Sequence, residues 1–146
     1  RDTGMYSKIM VPVDLAHLEA LERSLQVAAD MARHYDAEIC YVSVTANTPG
    51  PVARTPAEYE QKLAAFAAEQ ARRHGQPASS RVLVSHDPTA DLEQILVRTA
   101  DEIGADLVLM ATHLPHKVDA IMPSHGDKVA KHSDVSVFLV RPPHNS

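Results

Sequence analysis

A single cysteine, Cys40, stands in 146 residues, so no disulfide can close within the chain, and the composition suits a reducing cytoplasm. No apolar run approaches the roughly 18 residues of a membrane span. Residues 1–8 lack the apolar stretch of a signal peptide. A basic excess is missing as well: 14 Lys and Arg face 19 Asp and Glu, for a net charge of −5. A nucleic-acid-backbone binder needs a basic face, so neither nucleic acid nor membrane is an expected partner. Signatures of catalysis are absent too, with no Gly-x-Ser-x-Gly elbow, no Walker lysine pattern and no cysteine near a candidate base. The expectation is a protein that is not an enzyme, with weak ATP hydrolysis as a minor reading.

What is present is an ordinary globular mixture, 45% hydrophobic and 23% charged. The length fits one domain. Residues 1–4 precede Met5 and read as a cloning remnant, 5–141 as the domain, and 142–146 as a tail.

Five short apolar runs alternate with amphipathic stretches. Residues 8–13 read as the first strand, ending before Asp14. Leu18, Leu21, Leu25, Ala28 and Ala32 then recur at three- and four-residue spacing, the stripe of a helix over 17–34. Residues 38–44 read as the second strand, and the Pro- and Gly-containing segment 45–51 as a loop. Pro56 opens a second helix over 57–74, closed by Gly75. A third strand is expected over 81–85, with His86-Asp87-Pro88 turning the chain into a third helix, 88–103, closed by Gly104. The fourth strand covers 107–111 and the fifth 135–140. Between them lie a loop, 112–123, and a short helix, 124–132. No internal repeat is visible.

This β-α order with nearly continuous apolar strands indicates a doubly wound α/β domain, a parallel five-stranded sheet with helices on both faces. Right-handed crossovers leave few arrangements. With strand order 3-2-1-4-5, a crevice opens beyond the carboxyl ends of strands one and four. Val13 and Asp14 would border it on one side, Thr112 and His113 on the other.

These residues carry a family resemblance. Lys8-Ile9-Met10-Val11-Pro12-Val13-Asp14 resembles the opening strand of the universal stress protein family. Ala105-Asp106-Leu107-Val108-Leu109-Met110-Ala111-Thr112-His113 is similar to the stretch entering that family's nucleotide loop, and residues 126–141 to its final helix and strand. Ala111-Thr112-His113-Leu114-Pro115 looks like the loop of one branch of the family. The resemblance implies strand order 3-2-1-4-5, frequent dimerisation through the last strand, and ATP or AMP as ligand with at most nucleotide-associated Mg. It also implies that Pro12, Val13 and Val44 contact the base, and that Asp14 accepts from adenine or ribose groups. A helix cap is the competing role for Asp14.

The phosphate loop departs from the family pattern Gly-x2-Gly-x9-Gly-Ser/Thr. Ala111, Leu114 and Pro123 stand where glycines are expected, and only Ser124 is kept. Glycines let backbone N–H groups approach a phosphate closely, whereas proline has no N–H to offer. Each hydrogen bond to a charged group contributes about 1.5–3 kcal/mol, so losing two weakens binding about 100-fold or more. Ser124 can cap the last helix or offer its hydroxyl, and His113 can donate to a phosphate oxygen. His113, His116 and His125 form a weak metal candidate, against a bland reading as solvated loop side chains.

Strand five ends at Arg141-Pro142-Pro143 and offers a free edge. Pairing with a second copy would place Val135, Val137 and Leu139 near a two-fold axis. The sequence thus points to a cytoplasmic, dimeric regulatory module of universal stress type, with an adenine-nucleotide pocket and a degenerate phosphate loop. The rival is a dimer of the same fold that binds an unidentified protein partner and no nucleotide.

Overall fold

The computed structural model describes residues 5–111, 129–131 and 133–141. Its elements are β1 (Lys8–Pro12), a 3-10 turn (Leu15–His17), α1 (Leu18–Tyr35), β2 (Glu38–Thr45), α2 (Pro56–His74), β3 (Ala78–Val84), α3 (Pro88–Ile103), β4 (Leu107–Ala111) and β5 (Ser136–Val140). All four strand pairings are parallel, and the sheet order is β3-β2-β1-β4-β5. Right-handed crossovers place α1 and α2 on one face and α3 on the other. Among the described residues no helix is long and apolar enough to cross a membrane.

Burial follows position in the sheet. Every residue of β4 is buried, as are Ile9, Met10, Val11 and Pro12 of β1, because helices cover both faces of the central strands. The edge strands alternate instead: on β5, Ser136 and Phe138 are exposed while Val137 and Leu139 are half-buried against the core. Val84 on β3, at 51%, and Phe138, at 40%, are the exposed large apolar side chains of the two edges.

The helices end where local chemistry stops them. Thr55 accepts the Glu58 amide at 3.1 Å and Pro56 follows at the first helical position of α2. Gly75 and Gly104 close α2 and α3 at φ +74°, where a side chain would be strained. Asp87 caps α3 by accepting the Ala90 amide at 3.2 Å, so the aspartate after the third strand serves a turn.

Several boundaries differ from the sequence reading. β3 begins at Ala78, three residues before the expected start at Arg81, because residues 78–80 pair with Ile39, Cys40 and Tyr41 of β2. It ends at Val84, since Ser85 donates to Asp91 Oδ2 at 2.7 Å and accepts the Asp87 amide at 3.0 Å. β1 ends at Pro12, one residue early, although the Val13 amide still donates to the Val42 carbonyl of β2 at 2.8 Å. The first helix opens with a 3-10 turn, and β5 starts at Ser136. Of the short helix expected over 124–132, residues 129–131 are helical and Val129 is fully buried; the remainder lies outside the described residues.

Candidate functional site

Beyond the carboxyl ends of β1 and β2 the described residues enclose a cleft of about 520 Å³. Its floor is apolar, made by Val42 and Val44 of β2 and by Leu92 and Leu96 of α3. One wall is the end of β1 with the turn that follows it, Pro12, Val13, Asp14, Ala16 and His17. The opposite wall is the end of β2 with the loop that follows it, where residues 45–53 contribute all but Asn47. A cleft outside the carboxyl ends of central strands is where an open α/β sheet binds its ligands.

The β1 wall is fastened by hydrogen bonds. The buried Ser43 hydroxyl donates to the Val13 carbonyl at 2.7 Å. Asp14 Oδ1 accepts the Ala16 amide at 2.9 Å, and Oδ2 lies 3.0 Å from His17 Nδ1. The Leu15 amide donates to the hydroxyl of Tyr59, which reaches in from α2, at 3.1 Å. Tyr59 is only 7% exposed. Burial pushes its hydroxyl pKa above the usual phenol value, partly offset by the Leu15 amide that it accepts.

The loop wall is fastened by the same helix. Glu58 accepts the Arg54 amide at 2.8 Å, and that bond, ahead of the nearby Lys62, holds its carboxyl below the ordinary range. Lys62 Nζ donates to the Val52 carbonyl at 2.6 Å. Gly50 and Ala53 close the loop on itself through a 2.9 Å backbone bond.

The four residues assigned to the base and ribose end, Pro12, Val13, Asp14 and Val44, line this one cleft together. Asp14 is also the cap that the competing reading expected, since its side chain closes the turn before α1. Ala111 sits buried at the end of β4 and is not among the residues lining the cleft. Thr112, His113 and Ser124 lie outside the described residues, as do the metal candidates His116 and His125. Among the described residues no three His, Cys, Asp or Glu side chains are placed to hold a metal ion.

Sequence reasoning missed Tyr59, the loop wall and the α3 contribution of Pro88, Thr89 and Leu92. Proline and glycine marked 45–51 as a loop but carried no signal of where it would fold. Tyr59 occupies a helical position suited equally to core packing. The cleft's character is clear from its lining: among the described residues that face it, Asp14 is the sole carboxylate and His17 the sole imidazole, and neither Lys nor Arg is present.

A doubly wound parallel sheet with its cleft at the strand ends defines an α/β domain of the open-sheet class. The sequence model of the universal stress protein family matches residues 5–141, and the chain belongs to that family. Similar solved structures include a universal stress protein family member from Burkholderia pseudomallei, 23% identical at a TM-score of 0.68, with 95% of this chain and 98% of that one covered. The universal stress protein from Archaeoglobus fulgidus in complex with dAMP is 22% identical at a TM-score of 0.63, covering 93% and 98%. A family protein from Arabidopsis thaliana with AMP bound is 11% identical at 0.64, covering 95% and 94%. At such identities the likeness is one of fold.

Proposed function

We propose that this protein is a regulatory binding module, not an enzyme, that takes an adenine mononucleotide in the cleft and grips a triphosphate poorly. The observation that carries the reading is the convergence of Pro12, Val13, Asp14 and Val44 on one cleft. Its volume of about 520 Å³ falls in the range of small-molecule sites. The AMP and dAMP complexes of structural neighbours support adenine nucleotides as the ligand class. Apolar walls suit the faces of a purine, and Asp14 suits a hydroxyl or amino donor.

The phosphates are another matter. No Lys or Arg stands among the described lining residues to neutralise them. The family's glycine-rich backbone donors after β4 are reduced in this chain: Pro123 has no N–H, while Ala111 and Leu114 carry side chains in place of glycine hydrogens. Thr112, His113 and Ser124 are the candidate polar groups to meet a phosphate oxygen.

Equilibrium dialysis with AMP and ATP tests this directly. The expected result is AMP uptake with ATP bound at least about tenfold more weakly, the consequence of one or two missing charged hydrogen bonds. Equal, tight ATP binding overturns the degenerate-loop reading. Uptake of neither favours a protein-interaction dimer without nucleotide, a reading for which the exposed Phe138 on the outermost described strand, β5, speaks. Turnover of ATP abolished by Asp14→Ala would make the protein an ATPase.

The proposal includes a cytoplasmic homodimer joined along β5, with Val135, Val137 and Leu139 near its axis. Among the described residues β5 is the last strand of the sheet and pairs only with β4, and such an edge favours pairing with a second copy. Light scattering at micromolar concentration should give twice the chain mass, and a monomer mass removes this element.

A further inference from the structure

Residues 58, 59 and 62 hold both walls of the cleft from one short stretch of α2. Glu58 and Lys62 bind the loop wall through the Arg54 amide and the Val52 carbonyl. Tyr59 binds the opposite wall through the Leu15 amide, between Asp14 and the Ala16 amide that Asp14 accepts. We infer that Tyr59 is a positioning residue for the ligand: its hydroxyl fixes the turn that aims the Asp14 carboxylate into the cleft. This rests on the nucleotide reading above.

The chemistry is that of a buried, preorganised contact. The Leu15 amide belongs to the first residue of the 3-10 turn, so it has no partner within that turn. Tyr59 supplies one from a helix 44 positions away in sequence. Its ring is packed and nearly inaccessible, so the hydroxyl cannot drift away from the turn. Without that bond, Asp14 keeps its own cap to Ala16 while the turn as a unit loses its tie to the rest of the cleft.

Two variants remove the same hydrogen bond from opposite ends. Tyr59→Phe deletes the acceptor and keeps the ring. Leu15→Pro deletes the donor and keeps Tyr59; proline fits the first position of a helical turn, and Asp14 before it is already extended at φ −121°, ψ 111°. AMP is the probe, measured by equilibrium dialysis, alongside thermal denaturation and the same measurements with Asp14→Asn added. Each single variant is expected to bind AMP about 3- to 10-fold more weakly, the worth of one hydrogen bond. Asp14→Asn should then cost less affinity in either background than in the wild type, a coupling that a purely structural role does not produce. If the wild type binds AMP and both variants match it, or if they lose thermal stability with no coupling to Asp14, the inference is overturned. A wild type that binds no AMP defeats the nucleotide reading itself, and the inference with it. Should Tyr59→Phe not fold, Leu15→Pro decides by the same criteria.

Discussion

Asp14 Oδ2 lies 3.0 Å from His17 Nδ1 while Oδ1 accepts the Ala16 amide, so one carboxylate both caps a turn and faces the cleft. Each oxygen retains a lone pair for a ligand donor. The two roles that the sequence left as alternatives are therefore compatible in a single side chain.

Substitution separates them. Asn caps as well as Asp does, so Asp14→Asn should leave stability within about 0.5 kcal/mol of the wild type. It should weaken AMP about tenfold, by removal of a charged acceptor. Asp14→Ala should lose the same affinity and about 1 kcal/mol of stability besides. Calorimetric titration with AMP and urea denaturation of both variants check this; an Asn variant with wild-type affinity would leave Asp14 a cap alone.

Asp106 ties the start of β1 to the start of β4. Its carboxylate accepts the Ser7 amide at 2.9 Å, the Lys8 amide at 3.1 Å and the Ser7 hydroxyl at 3.0 Å. Asp106→Ala hands those exposed and half-buried donors to water and should cost about 0.5–1.5 kcal/mol. The midpoint of urea unfolding should fall at unchanged slope, with AMP affinity preserved because the bond lies at the opposite end of the sheet from the cleft.

Tyr41 should contribute to the alkaline limit of stability. It is 1% exposed, packs edge-on to Phe66 at 5.1 Å, and burial raises its pKa from 10.0 to about 12. Between these pH values the unfolded chain has shed a proton that the folded protein keeps. The stabilisation is fully present below pH 10 and falls as pH rises towards 12, by about 2 kcal/mol from this group. Tyr41→Phe should flatten that limb. Denaturation midpoints recorded from pH 8 to pH 12 provide the measurement, and an equally steep loss in the variant would assign the limb to other groups.

Backbone conformation predicts substitutions of opposite sign. Gly75 has φ +74° with open space where a Cβ would stand, so Gly75→Ala strains the backbone alone and should cost about 1–2 kcal/mol. Asp36 has φ 55°, the one described non-glycine residue in that region. Asp36→Gly should relieve a comparable strain, less the entropy glycine adds to the unfolded chain, for a net gain of about 0.5 kcal/mol. Urea denaturation of the two variants reads both signs.

The parallel sheet was legible because each strand of the middle of the sheet is a continuous apolar run, and the crossover hand leaves few ways to connect such runs; the particular order 3-2-1-4-5 came with the family resemblance carried by residues 8–14, 105–113 and 126–141, and the structure has it. β3 was read three residues short because Ala78-Ser79-Ser80 has no apolar pattern of its own; those residues are extended because β2 offers them a ladder. The ends of α2 and α3 were readable from Pro56, Gly75, Pro88 and Gly104, whose backbone preferences act locally.

Composition, periodicity and the opening motif determined the fold class, the acidic net charge of −5 and the place of Asp14 at the end of β1, since each depends on neighbours in sequence or on sums over the chain. The cleft's second wall, the contribution of α3 and the reach of Tyr59 to Leu15 were decided by tertiary structure. They join residues tens of positions apart, and no local preference of loop or helix encodes which distant backbone donor a buried hydroxyl will meet.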